Sequence, residues 1–439
     1  MSLTDKVYGV TDLGVGDGGK GGVVNAIAGK MNVHTVVKEG GAQGSHGVID
    51  NLGRPFPFSQ WGCGTFSHVP TFLSKRMIIS PTGLINEADA LMDHGISDPY
   101  SLISADPDCI CSTPYHQVWS RLYEISLRDH PHGTVGLGVG KAYRQFLESP
   151  EMTIYAKDLL SPQVITDKLS DIRIDIYSRF SNLRDDDVNE TDIPYLRKNF
   201  DLLMNIDVFA DIVDKMTFVG RLLRLQSLED VLKKDGSIVS ERSHGVLSDS
   251  ESFLKPHVSS IRTLPRFSQQ MYREAGFDGR YVNLAVHRAY EIRHGAGPLP
   301  TEDDQFRKEL LPHSHKMTNR WQGEVRVGAF DVMLANYAIN TCGGAESFDG
   351  LCLTWFDQVM QRGYWDFCYS YELDGRSIPE HGLVNLSLSD LARVKPVIDR
   401  RYYDNEPVQE YCQRVMNDYV DIPVRMVSVG PAIQDKYFF

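Results

Sequence analysis

No uninterrupted stretch of this chain approaches the ~18 apolar residues that a membrane-spanning helix needs. The start, Met1-Ser2-Leu3-Thr4-Asp5-Lys6, lacks the apolar core of a secretory leader. These absences predict a cytoplasmic protein with no membrane partner. Cysteine is scarce and scattered: of the seven, only Cys109-x-Cys111 come close together, which is not the C-x-x-C of a zinc or redox site. The pairs His130-x-His132 and His313-x-His315 lack a spaced third ligand, so they predict no histidine metal site. Positive charge is also short. Lys+Arg 45 against Asp+Glu 58 gives −13 over 439 residues, which disfavours nucleic acid as a partner and leaves a small anionic substrate dependent on local basic groups. No internal repeat, heptad run or low-complexity segment is present.

What is present begins at Tyr8. A short apolar lead-in runs into a loop with Gly14, Gly16, Gly18, Gly19, Gly21 and Gly22, and then into a helix-like run from Val23 to Ala28. Strand, bare loop and helix N-terminus together make a cradle for phosphate. Two motifs fit the same residues. Gly14-x-Gly16-x-x-Gly19 satisfies the dinucleotide fingerprint, with Glu39 as its ribose acid. Gly14-x-x-x-x-Gly19-Lys20 gives a phosphate-binding loop whose usual Ser or Thr is replaced by Gly21, making Asp17 the candidate metal ligand. A second glycine loop, Gly40-Gly41-Ala42-Gln43-Gly44-Ser45-His46, follows the strand-like His34–Lys38 and places an imidazole on the same rim.

The organisation reads as α/β. Lys6–Val10 and His34–Lys38 are expected strands, Arg76–Ser80 is a further apolar run, and Gly22–Gly29 and Asn86–His94 are expected helices. The alternation predicts a largely parallel central β-sheet flanked by helices, with ligands at the strands' carboxyl ends. Residues from about 150 to 240 are rich in charge and helix formers and read as a mostly helical insertion. Within them, Asp185-Asp186-Asp187 reads as a solvated face.

Both loops, with later motifs in the same order, resemble the adenylosuccinate synthetase family. Its first loop reads G-D-E-G-K-G-K and its second G-G-N-N-A-G-H. Thr113-Pro114-Tyr115-His116, the segment Gly133–Tyr143, Gly295–Glu302, Asp349–Thr354 with Asp357, and Ser428-Val429-Gly430-Pro431 complete the resemblance. It implies one P-loop-like domain over residues 1–439, with the amino-acid-binding loop and nucleotide-base site in about 310–439. It also implies a homodimer and a Mg²⁺-dependent ligase. In that reaction GTP phosphorylates O6 of a 6-oxopurine nucleotide, IMP in the familiar enzyme, and the amine of L-aspartate displaces the phosphate.

The resemblance assigns catalysis to Asp17 as base, His46 as acid and Lys20 on the phosphates. Asp17 and the backbone carbonyl of Ser45 would hold the metal. Gly16, Gly18, Gly19, Lys20, Gly21 and Gly22 would bind the triphosphate's phosphates. Trp355, Asp357, Ser428 and Gly430 would bind its base. Asp17, Gln43, Ser45, Val135, His244, Ser259, Thr318, Arg320 and Arg326 would contact the two smaller substrates.

Several positions depart from the family pattern. Val135 stands where a threonine holds the nucleotide phosphate, and His244 where a glutamine reads the purine edge. Trp355 stands where a lysine lies along the base, and the arginine-rich loop keeps only Thr318, Arg326 and Arg320. These changes also resemble phage 2-aminoadenylosuccinate synthetases, which act on dGMP, with ATP or dATP as the other possible triphosphate. A repurposed nucleotide-binding protein is a third reading.

Overall fold

The computed structural model describes residues 2–130, 132–310 and 324–439. Thr318, Arg320, His313 and His315 lie outside the described residues.

The centre is one sheet of eleven strands. In chain order they are β1 (Thr4–Asp12), β2 (Val33–Gly41), β3 (Thr71–Ile79), β4 (Ile103–Ala105), β5 (Ile110–Cys111), β6 (Arg224–Leu225), β7 (Gly236–Arg242), β8 (Arg280–Arg288), β9 (Gly350–Thr354), β10 (Val424–Ser428) and β11 (Lys436–Phe438). Their spatial order is β11-β10-β9-β8-β1-β7-β2-β3-β4-β6, with β5 beside β3. All neighbours run parallel except β10 and β11. Parallel strands covered on both faces need apolar side chains on both, so Val7, Val10, Val36 and Val37 are wholly buried.

β1 lies between β7 and β8, with Val7 opposite Ile238 on one side and Tyr281 on the other. Its carboxyl end feeds the first glycine loop and helix α1 (Lys20–Lys30). This helix has no solvent stripe: Val23, Val24, Ala26, Ile27 and Ala28 are all buried, as expected of a helix enclosed by its neighbours. It starts at Gly19, which has φ +86° and whose missing Cβ would lie 2.6 Å from the Thr354 hydroxyl at the end of β9. Glycine therefore satisfies both the turn and the close approach.

Helices α2 (Pro81–Asp93), α3 (Pro114–Ser126) and α4 (Val139–Glu148) follow. Then comes a block of three, α5 (Pro162–Phe180), α6 (Ile193–Met204) and α7 (Ile206–Leu222). In α5, Ile165, Leu169, Ile172 and Ile176 recur at helical spacing and form its buried face. The stretch expected to be mostly helical does not end that way. Arg224–Leu225 and Gly236–Arg242 are strands of the central sheet, and β7 lies next to β1. The preceding charge-rich helices masked a fully buried strand that local pattern alone could not place. On the other side, a small sheet built on Tyr364–Leu373 and Lys395–Tyr402 packs through Trp365, Phe367 and Tyr371.

Among the described residues, no helix is long and apolar enough to cross a membrane. The thiols of Cys109 and Cys111 are buried and unbridged.

Candidate functional site

The carboxyl ends of β1, β7, β8 and β9 converge on the first glycine loop, meeting it through Asp12, His244, Arg288 and Thr354. From β1 comes Asp12, 2% exposed. Its carboxylate accepts hydrogen bonds from the backbone N–H of Gly14 (2.9 Å) and Gly18 (2.8 Å) and from Lys20 Nζ (2.6 Å). Burial alone would raise the Asp12 pKa, but Lys20 and the two N–H groups outweigh it and hold it below the usual carboxylate range. Lys20 is thus tied inside the loop it was expected to serve.

Asp17 projects from the middle of that loop with φ +61°. Its Oδ2 lies 2.9 Å from His294 Nε2, and its backbone carbonyl accepts from the Arg288 guanidinium at the end of β8. The oxygen donors of Asp17 and Ser45 suit a hard divalent cation such as Mg²⁺. That ion takes one or two carboxylates and completes its shell with phosphate and water oxygens.

His46 opens the strand that follows the second loop and packs on the first turn of α1, with its Cβ 3.0 Å from where a Gly21 Cβ would stand. Its Nδ1–H donates to Glu241 Oε1 at 2.6 Å. The same buried carboxylate accepts from Lys38 Nζ at 2.9 Å, from the Cys63 backbone N–H at 2.9 Å and from the Cys63 thiol at 3.2 Å. Burial lowers the affinity of His46 for a proton while Glu241 pulls the other way, and burial prevails. Burial would raise the Glu241 pKa, but Lys38 and His46 hold it far below the ordinary range. His46, Cys63 and Glu241 place three metal-ligating atoms within 4.8 Å of one another. The Lys38 ammonium already neutralises that carboxylate, so the cluster is a hydrogen-bonded network that fixes His46.

The remaining expected residues divide into three groups. His244, with φ +63°, lies over Gly16 and within 3.3 Å of the Gln43 amide, joining the second loop to the end of β7. Burial pushes its pKa down to about 4, so its imidazole is neutral near pH 7. Ser45 is exposed at the loop tip. Val135 sits in the loop before α4, half-buried, beside Gly133, where a Cβ would stand 2.9 Å from the Ala296 backbone nitrogen. The Ser259 hydroxyl accepts from the Ile261 N–H, and neighbouring Ser260 packs on Gly140 at the start of α4. Arg326 is engaged: it donates to Glu302 at 3.0 Å, to the Gly295 carbonyl at 2.8 Å and to the Gly297 carbonyl at 2.7 Å. It pins the loop that begins at His294, and through His294 it reaches Asp17.

Trp355, with φ +58° and 41% exposed, follows β9 and carries the Arg288 guanidinium over its ring at 4.3 Å. Asp357 starts the next helix, with the Gln358 side-chain amide on its carboxylate at 2.7 Å. The Ser428 hydroxyl and Lys436 Nζ both donate to the Gly430 carbonyl, at 3.1 and 2.6 Å.

Sequence reasoning missed Asp12, Lys38, Glu241, His294, Arg288 and Lys436. Lys38 left a trace, as a lysine directly after the apolar pair Val36-Val37 in a buried strand. Asp12 is answered locally by Gly14, Gly18 and Lys20, while the others depend on segments distant in sequence coming together. Glu39, the acid of the dinucleotide reading, is spent elsewhere. It is 3% exposed and accepts from the hydroxyls of Ser240 (2.6 Å) and Ser268 (2.7 Å).

Comparison with known proteins agrees with this arrangement. The chain is 26% identical over 435 residues to adenylosuccinate synthetase of Mycobacterium tuberculosis, covering 95% of this chain and 94% of the relative. It is 27% identical over 396 residues to that of Thermoplasma volcanium, covering 89% and 84%. Among solved structures, fully ligated adenylosuccinate synthetase from Plasmodium falciparum superposes with a TM-score of 0.76 at 15% identity, covering 99% of both chains. The succinoaminodeoxyadenylate synthetase of cyanophage S-2L, bound to dGMP and to dATP as an energy donor, gives 0.60 at 13% identity, covering 99% and 95%. At those identities the two structures speak for the fold. The model of the adenylosuccinate synthetase family matches residues 10–437, and the chain belongs to that family.

Proposed function

We propose that the protein is a ligase that phosphorylates O6 of IMP with GTP and then joins the amine of L-aspartate to C6, releasing phosphate and adenylosuccinate. The observation that carries this reading is the His46–Glu241–Lys38 network set against the first turn of α1, on the rim that also bears Asp17. A phosphoryl-transfer site needs oriented N–H groups, a cation and a placed acid more than it needs covalent chemistry.

In this reading Asp17 takes the N1 proton of the purine, which makes O6 the nucleophile. With Nδ1–H committed to Glu241, Nε2 is the His46 nitrogen left for the phosphoryl group. Lys20 leaves Asp12 for the triphosphate, and the N–H groups at the start of α1 orient its oxygens. Asp17 and the Ser45 carbonyl would hold Mg²⁺, which when bound neutralises phosphate charge. Trp355 and Asp357 frame the base, with guanine N–H groups donating to Asp357.

A second reading, dGMP as acceptor with ATP or dATP as donor, is favoured by His244 and Val135, which alter the purine edge and phosphate contacts. The test is an end-point assay with Mg²⁺ and L-aspartate against a matrix of IMP, GMP and dGMP with GTP, ATP and dATP. Phosphate release with a nucleotide heavier by the succinyl group from IMP and GTP is the expected result. Product from dGMP alone establishes the second reading, and no product in any combination overturns both.

A further inference from the structure

β11 returns antiparallel along the sheet edge, with Lys436 opposite Ser428. This register carries the Lys436 side chain back across the rim. Its Nζ donates to the Gly430 carbonyl at 2.6 Å, and its Cε lies 3.2 Å from where a Gly22 Cβ would stand, over the first turn of α1. The residue is 4% exposed. An ammonium carries three donor hydrogens. Among the described residues, the Lys436 ammonium makes a single hydrogen bond, the one to Gly430. A buried ammonium so thinly bonded is unfavourable unless something else accepts from it. The carboxylates of Asp435 and Asp357 raise its affinity for a proton, while burial and the Lys30 ammonium lower it to about 8, which leaves it mostly charged at neutral pH. Lys436 therefore places fixed positive charge between the phosphate cradle and the residues read as the base site.

We propose that Lys436 is a specificity residue for the triphosphate, donating to the O6 carbonyl of a guanine or hypoxanthine base whose N–H edge is held by Asp357. This rests on the reading of Trp355, Asp357, Ser428 and Gly430 as the base site. The chemistry discriminates directly. A 6-oxopurine presents an acceptor at position 6 and an N–H donor at position 1, which matches a cation beside a carboxylate. A 6-aminopurine reverses both, setting an amino group against an ammonium and a lone pair against a carboxylate, so selection comes from repulsion as well as attraction. Trp355 adds a stacking face that is indifferent to the base, so it cannot supply this choice.

The experiment is calorimetric binding of GTP, ITP and ATP to the intact protein and to Lys436→Met, which keeps an unbranched stem of similar length. Loss of one charged hydrogen bond is expected to weaken GTP and ITP by about 10- to 100-fold while leaving ATP unchanged or tighter. ITP keeps O6 and N1–H but lacks the 2-amino group, so it removes one donor to Asp357 while leaving the Lys436 contact intact. In Asp357→Asn, GTP is expected to lose more than ITP. Lys436→Gln keeps an N–H donor and is expected to recover part of the loss, which guards against a variant that merely misfolds. Equal weakening of all three nucleotides, unchanged GTP binding in Lys436→Met, or an original preference for ATP each overturns the inference. If the unaltered protein binds none of them, the underlying reading of a triphosphate site falls, and this inference falls with it.

Discussion

The Glu241 carboxylate is shared by a lysine, a histidine and a thiol, all away from water. Removing one partner of a buried ion pair leaves an unneutralised charge, which typically costs about 3–5 kcal/mol. Lys38→Met is therefore expected to destabilise by about that much in urea unfolding. Adding Glu241→Gln should recover a large part of it, because the orphaned charge is gone. If the double variant is as unstable as the single, Lys38 acts by packing instead. Asp17 makes a different prediction, since it is partly exposed and its carboxylate is paired with His294. Asp17→Asn is expected to abolish turnover in the product assay yet retain measurable triphosphate binding. Full activity would refute its assignment as base.

At the scale of elements, α3 shows how a motif noticed for one reason serves another. Its first turn is closed by Thr113 and His116. The Thr113 backbone N–H donates to His116 Nδ1 at 3.0 Å, and the ring's Nε2–H donates to Gln145 Oε1 at 2.7 Å. Both ring nitrogens are committed to the neutral form, and burial accordingly lowers the His116 pKa from 6.5 to about 4. A folded-state pKa below the unfolded value means that the unfolded chain binds the proton more readily. The stabilisation is then complete above about pH 6.5 and is lost as pH falls towards about 4. His116 alone should account for about 2 kcal/mol between pH 7.5 and 5. Unfolding free energies across that range, compared with His116→Asn, isolate this share from other histidines that titrate in the same direction. A pH slope unchanged by the variant contradicts the assignment.

The same scale decides what could be read in advance. β1, β2 and α1 were legible because apolar runs and glycines at a strand end have local causes. β7 was not, because a buried strand after charge-rich helices has no period of its own. Glu241 and Lys436 were invisible as site residues because their roles arise when segments distant in sequence become neighbours, whereas Asp12, whose partners Gly14, Gly18 and Lys20 are local, passed as the end of a strand. Val135 and His244 could be picked out only against a family pattern, and their contacts came from the fold.

Across the whole molecule, a chain with net charge −13 concentrates Lys20, Lys38, Arg288 and Lys436 at one end of its sheet. Ligands that bind only the folded state stabilise it, by about 2.7 kcal/mol at a hundredfold excess over Kd. GTP with Mg²⁺ should raise the unfolding midpoint accordingly, and chelation should remove most of the gain. A gain indifferent to the metal would argue against Asp17 and Ser45 as its ligands.

The Asp12 carboxylate gives this binding a particular character. It already sits among the N–H groups of Gly14 and Gly18 and on the Lys20 ammonium, as a phosphate would. The loop carries a resident anion of its own, so in the proposed reaction nucleotide entry would be a displacement in which one negative group yields Lys20 to another. Affinity then measures the difference between two anions.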